Sequence, residues 1–285
     1  MKNFLLVFLF AVLAACSEKT QETQATDYIP ELVIIDSLII DNLTQLAFID
    51  VKEDHSEYLY TFSLDITGDA QDIFESDEFS IAYPFMTVRD INSLDTLYTA
   101  YIPKESQLAI NPGQYNNLDP IVKIVEEQMY VLFPNSPEMY VYKFPELKLK
   151  TYWELNPGDN YKQIKPSNKD IGLDGFFQAL AASEYKGFSF SNGYLITIYE
   201  GGAPQHEIDA LPNRTVGSPE FNELVKKYKS AYYYQIFKGN EKLWQGNLNV
   251  NLRSVRDVLY SDAKPGEDPE AVEKDMQTYY FYELK

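Results

Sequence analysis

The sequence is short of the residue types that most often carry chemistry. Its 285 residues include two histidines, one cysteine and only four arginines: Arg89, Arg214, Arg253 and Arg256. Two histidines and one cysteine are too few for the usual ligand sets of zinc, so no metal centre is expected. No G-x-S-x-G elbow, phosphate loop or dinucleotide fingerprint occurs, and no cofactor is expected. Lys and Arg together number 24 against 43 Asp and Glu, a formal charge of −19. Without a basic run to neutralise phosphates, nucleic acid is excluded as a partner and so is peripheral binding to anionic lipid. The same acid excess disfavours an acidic polysaccharide unless a metal ion bridges the two.

Long hydrophobic runs are also scarce, with one exception at the start. After Met1-Lys2-Asn3 the chain is apolar from Phe4 to Ala15 and then turns polar at Ser17-Glu18-Lys19. Such a run suits the core of a secretion signal and falls short of the ~20 residues of a spanning helix. Its end, Leu13-Ala14-Ala15-Cys16, resembles the bacterial lipobox. The resemblance implies cleavage before Cys16, a diacylglycerol thioether on its sulfur and acylation of the new amino group. It also accounts for a lone cysteine in an exported chain. Residues 1–15 are therefore assigned to a signal peptide and 16–28 (to Tyr28) to a disordered polar tether. The expected address is the bacterial envelope, at the outer membrane, with the periplasmic face and the cell exterior both open.

Residues 29–285 read as one all-β domain. Aromatics are abundant, with 23 Tyr and 17 Phe, and they favour strands. Leu32 to Ile40 is apolar and β-branched around Asp36-Ser37. Six later segments carry aromatics at alternate positions: 58–64, 96–102, 139–145, 193–199, 232–238 and 278–284. Their spacing of roughly 40–50 residues predicts a β-propeller-like ring of about six blades, five or an incomplete ring being the alternative. The clearest blade is Gln128–Leu155, three strands joined by Pro and Asn turns, and Asn192-Gly193 is a second hairpin signal. The closure rule for such rings predicts that Leu32–Ile40 lies beside Thr278–Leu284. One or two short helices interrupt the pattern. Ser218-Pro219 opens the better one, with Phe221, Leu224, Val225 and Tyr228 on one face. Gly175-FFQALAASE is the other.

The lipobox, the strand pair QMYVLFPNSPEMYVYKFPEL, the helix FNELVKKYKSAYYYQIF and the tail PGEDPEAVEKDMQTYYFYELK together resemble uncharacterised Bacteroidota lipoproteins with six-bladed, propeller-like folds. The likeness is best from about residue 120 onward. It implies no catalytic residues. Asp36-Ser37-Leu38 and Asp95-Thr96-Leu97 resemble the short O-glycosylation signal of exported proteins of that group.

Three places are candidates for binding. Trp153 and Trp244 are the only tryptophans. A side chain so large serves either at a core edge or as a stacking platform for a sugar or peptide. His206, beside Glu207 in a Gly- and Pro-rich loop, is the third, with a plain surface loop as its simpler reading; His55 reads as a solvated turn residue. Oxygens alternating from Asn168 to Asp174 resemble a calcium loop but lack its closing glutamate, and a solvated acidic turn is preferred. The chain is expected to be a non-enzymatic binding or scaffold module for a protein or glycan. The alternative is a secreted carbohydrate-active hydrolase or lyase with carboxylates in a propeller funnel, although the carboxylates are too numerous to nominate a pair.

Overall fold

The computed structural model describes residues 28–41, 58–61, 84–111, 118–163, 173–230, 232–255, 258–267 and 276–285. Cys16, His55 and most of the 168–174 loop lie outside the described residues.

The chain opens with β1 (Leu32–Asp41), then β2 (Tyr58–Thr61), β3 (Met86–Asp90) and β4 (Thr96–Ala100), and the short helix α1 (Gln107–Ile110). Next come β5 (Ile121–Val125), β6 (Gln128–Leu132), β7 (Glu138–Lys143) and β8 (Lys148–Glu154). Helix α2 (Asp174–Ala181) precedes β9 (Glu184–Ser191) and β10 (Tyr194–Glu200). Helices α3 (Gln205–Asp209) and α4 (Pro219–Lys229) precede β11 (Tyr232–Lys238) and β12 (Glu241–Gly246). The chain ends in β13 (Arg253–Val255), β14 (Val258–Ser261) and β15 (Met276–Leu284).

Among the described residues these strands form four antiparallel sheets, none closed on itself: β2-β3-β4, β5-β6-β7-β8, β9-β10-β11-β12 and β13-β14-β15-β1. The last sheet joins the two ends of the chain. Leu32 lies opposite Leu284 and Ile40 opposite Gln277, as the sequence predicts, with a bulge between Ile34 and Asp36.

Successive sheets pack face to face. On β6, Met129 and Val131 point into a cluster with Met86, Val88 and Ala100 of the preceding sheet. Tyr130 and Leu132, the alternate residues, point into a second cluster with Phe188, Leu195 and Phe237 of the following sheet. On β10 and β11 the outward set, Ile196, Ile198, Tyr234 and Ile236, packs against Leu259, Tyr282 and Leu284. A strand covered on both faces cannot alternate apolar with polar. That is why QMYVL and YLITIY read as almost continuous apolar runs.

The six aromatic segments all lie in strands but fall into four sheets, not six. Those at β2 and β4 share one sheet, and those at β10 and β11 share another. Aromatic residues pair across neighbouring strands as well as between sheets. Tyr199 is opposite Tyr233, their rings stacked with centroids 5.4 Å apart. The pattern therefore recurs within a sheet at the spacing expected between sheets.

Turns and caps follow local chemistry. Asn192 and Gly193 both adopt positive φ, 50° and 78°, the conformation a two-residue hairpin needs. The Ser218 hydroxyl accepts a hydrogen bond from the Phe221 N–H at 3.2 Å, with Pro219 at the first helical position. Helix α2 spans the second expected helix. With α3 and α4 it forms a separate apolar cluster of Phe177, Leu180, Ile208 and Phe221. Tyr28, placed in the tether by the sequence, touches the folded body: its hydroxyl donates to the Lys285 carbonyl and its ring meets Tyr194.

Candidate functional site

An open cleft of about 590 Å³ lies at one end of the β5–β8 sheet, between the β5–β6 and β7–β8 turns. Glu126, Glu127 and Gln128 line it from the β5–β6 turn and the start of β6, and Lys143, Lys148, Leu149 and Lys150 from the end of β7 and the start of β8. Register assembles it. Gln128 is opposite Lys143, and Lys143 is opposite Lys148, so three polar side chains line up in one row across β6, β7 and β8. A bulge between Val141 and Tyr142 leaves Lys150 as the extra residue of β8. Its ammonium then reaches over β7 to donate to the Gln128 side-chain oxygen at 3.1 Å.

The charges in the cleft are unevenly matched. Lys143 is held by Glu146 at 2.7 Å, a bond that raises its ammonium above the usual lysine range and lowers the Glu146 carboxyl. Lys150 has the neutral amide of Gln128 as its partner. Lys148 has no partner among the described residues. Lys148 and Lys150 thus line the cleft without an ion-pair partner among the described residues, as do the carboxylates of Glu126 and Glu127.

The structure does not bring the three sequence candidates together. Trp153, on β8, is half-buried against the cluster between the second and third sheets. Its indole N–H is buried with no acceptor among the described residues. Trp244, on β12, is half-buried on the opposite face of the third sheet. Its ring lies so close over Gly246 that a Cβ there would sit 2.6 Å from it, which accounts for the glycine. Both indoles are thus packed at sheet margins. His206 is exposed in α3, a helix where the sequence suggests a loop. Its neighbour Glu207 is already engaged by Tyr228 at 2.5 Å and Lys227 at 2.9 Å. These bonds hold the Glu207 carboxyl below the usual range, with the charge of neighbouring His206 adding a smaller effect.

A second polar cluster sits at the other end of the third sheet. Glu184 and Glu200 face each other across β9 and β10, both nearly buried. Lys186 reaches both, at 3.0 and 3.1 Å, and Lys229 reaches Glu200 at 3.1 Å and the Ala182 carbonyl at 2.5 Å. Burial opposes the charge on Lys186, but Glu200 and Glu184 outweigh it and hold the ammonium above the usual lysine range. Burial lowers Lys229 despite the same carboxylates. The cluster relieves a like-charge cross-strand pair and ties the end of α4 to the sheet. Among the described residues no group of three His, Cys, Asp or Glu side chains converges as a metal site would require.

No family model matches the chain, and no curated protein matches it. Among solved structures it is similar to a member of the DUF4221 family from Bacteroides vulgatus, with a TM-score of 0.52 at 11% identity. The likeness covers 82% of this chain and 62% of that one, so the chain spans less than two thirds of its neighbour's length. At that identity the likeness concerns the fold alone, and it is consistent with an uncharacterised Bacteroidota family.

Proposed function

We propose that this chain is a lipid-anchored, propeller-like binding module of the bacterial envelope, with its ligand docking in the lysine-walled cleft. The observation that carries the reading is the cleft itself: ammonium groups and carboxylates without ion-pair partners among the described residues line one open concavity. Its volume falls in the ~300–1,000 Å³ range of small-ligand sites. The sheet beneath it is packed on both faces, which fixes the backbone that carries the lining residues. The propeller-like arrangement is supported by meander sheets stacked in chain order and by pairing of the first described strand with the last. The anchor is supported by Leu13-Ala14-Ala15-Cys16.

A second reading, a carbohydrate-active hydrolase, is favoured by one observation. One ammonium nitrogen, that of Lys186, bonds both Glu184 and Glu200, so the carboxylates are closer than the ~6.5–9.5 Å that admits an attacking water between them. Such a pair suits a retaining mechanism. Hydrogen exchange on the intact lipoprotein in micelles, with a pool of envelope glycans and peptides, separates the two readings. Binding predicts slowed exchange confined to residues 126–128 and 143–150 with the pool unchanged. Cleavage of the pool, abolished by Glu200→Gln, with no protection at the cleft, would favour the hydrolase.

A further inference from the structure

We infer that the cleft takes a uronic-acid-type saccharide, whose carboxylate lodges between Lys148 and Lys150 while its hydroxyls donate to Glu126 and Glu127. The inference rests on the binding reading and names the ligand class for that site. The acid excess of the whole chain argues against an acidic ligand, but the cleft is a local exception. Lys148 and Lys150 stand on one exposed edge strand, and neither forms an ion pair among the described residues. Lys143 does not compete for the ligand's charge, because Glu146 holds it.

Glu126 and Glu127, lining the same cleft, decide between ligand classes. An acidic peptide would satisfy the lysines, yet its side chains bring no hydroxyl donors for the Glu126 and Glu127 carboxylates. A neutral saccharide would suit the glutamates, whose oxygens accept hydroxyl donors, but would leave both ammonium charges unanswered. A sugar acid carries both functions on one ring: an anionic acceptor for the lysines and several O–H donors for the glutamates. Gln128, with its oxygen engaged by Lys150, keeps its amide N–H groups to donate to a ring or glycosidic oxygen. Leu149 supplies an apolar patch for a ring face.

The test is calorimetric titration of the full lipoprotein in detergent micelles, at about 50 mM salt so that surface charges are weakly screened. The probes are trigalacturonate, its neutral counterpart galactotriose, and triglutamate. Trigalacturonate is expected to bind, and galactotriose and triglutamate to bind at least about tenfold more weakly, a difference of about 1.4 kcal/mol. Replacing Lys148→Glu together with Lys150→Glu should abolish trigalacturonate binding. Glu126→Gln with Glu127→Gln should weaken it several-fold. All four side chains are exposed, and unchanged thermal unfolding verifies that the variants are folded. Trigalacturonate binding that survives the lysine reversal would overturn the assignment to this cleft. Tighter binding of galactotriose or triglutamate, lost on the same reversal, would overturn the ligand class and leave the binding module standing. Absence of binding by all three would also overturn the ligand class, the exchange experiment then judging the binding reading by itself.

Discussion

Between pH 9 and pH 11 the protein should lose roughly half to all of its stability. Tyr140, Tyr142, Tyr185, Tyr199 and Tyr234 are all buried to 2% exposure or less. Burial pushes each of these hydroxyls above the ordinary tyrosine range, and at Tyr140 the Glu138 carboxylate adds to the effect. The native state therefore keeps protons that the unfolded chain releases near pH 10. Their stabilisation is fully present below the unfolded value and is lost as the pH rises beyond it. Each group costs up to about 1.4 kcal/mol per pH unit above that point, so five together remove roughly 7 kcal/mol by pH 11. Typical domains have ~5–15 kcal/mol in all. Urea midpoints measured from pH 8 to pH 11, with tyrosinate absorbance followed in parallel, check this. A flat midpoint, or tyrosinate appearing before unfolding, would contradict it.

Gln235→Leu should cost about 3–9 kcal/mol, a large share of the ~5–15 kcal/mol of a typical domain. Gln235 is fully buried in β11 and uses both ends of its amide. Its oxygen accepts from the Tyr185 hydroxyl at 2.9 Å and the Thr197 hydroxyl at 3.1 Å. Its nitrogen donates to the Leu155 carbonyl at 2.7 Å and to Gln245. Gln245 continues the network to the Pro157 carbonyl and the Tyr199 hydroxyl. The amide thus joins the third sheet to the segment leaving β8. Leucine fills much of the volume but strands two hydroxyls and a carbonyl away from water, at about 1–3 kcal/mol each. Equilibrium urea unfolding measures the loss, and a change under about 1 kcal/mol would mean that water reaches these groups.

Both predictions rest on features the sequence hides, and the reason is physical. Strands, hairpins and caps are local, so Asn192-Gly193, Ser218-Pro219 and the meander at Gln128–Leu155 were readable from neighbouring residues alone. Pairing of Leu32–Ile40 with the C-terminal strand was also readable, because two apolar, aromatic or β-branched strands with open edges each need a partner. Grouping of strands into sheets was not, since an aromatic strand such as YYYQIFK can face a neighbour in its own sheet or in the next. The glutamine within that strand, Gln235, carries no local signal of its role, and only packing on both faces makes it the hub of a network. The cleft depends on register and on a bulge at Lys150. Neither is encoded in the short pattern KLKTYWE, which reads equally well as an edge strand protected by lysines. Trp153 and Trp244 were chosen for size, and the structure keeps both rings largely in packing roles. His206 was chosen as a rare residue in a glycine-rich segment, but its partner Glu207 is committed to α4.

The anchor is the claim on which address and function both depend, and the intact mass of protein extracted from membranes tests it most directly. The account predicts a mature chain beginning at Cys16 and carrying a diacylglycerol thioether with an acylated amino group. The Cys16→Ala variant should keep its signal and lose membrane retention, because more than one acyl chain is needed for stable attachment, at ~0.8 kcal/mol per buried methylene. A mature chain with an unmodified Cys16 thiol, or one cleaved at another position, would contradict it.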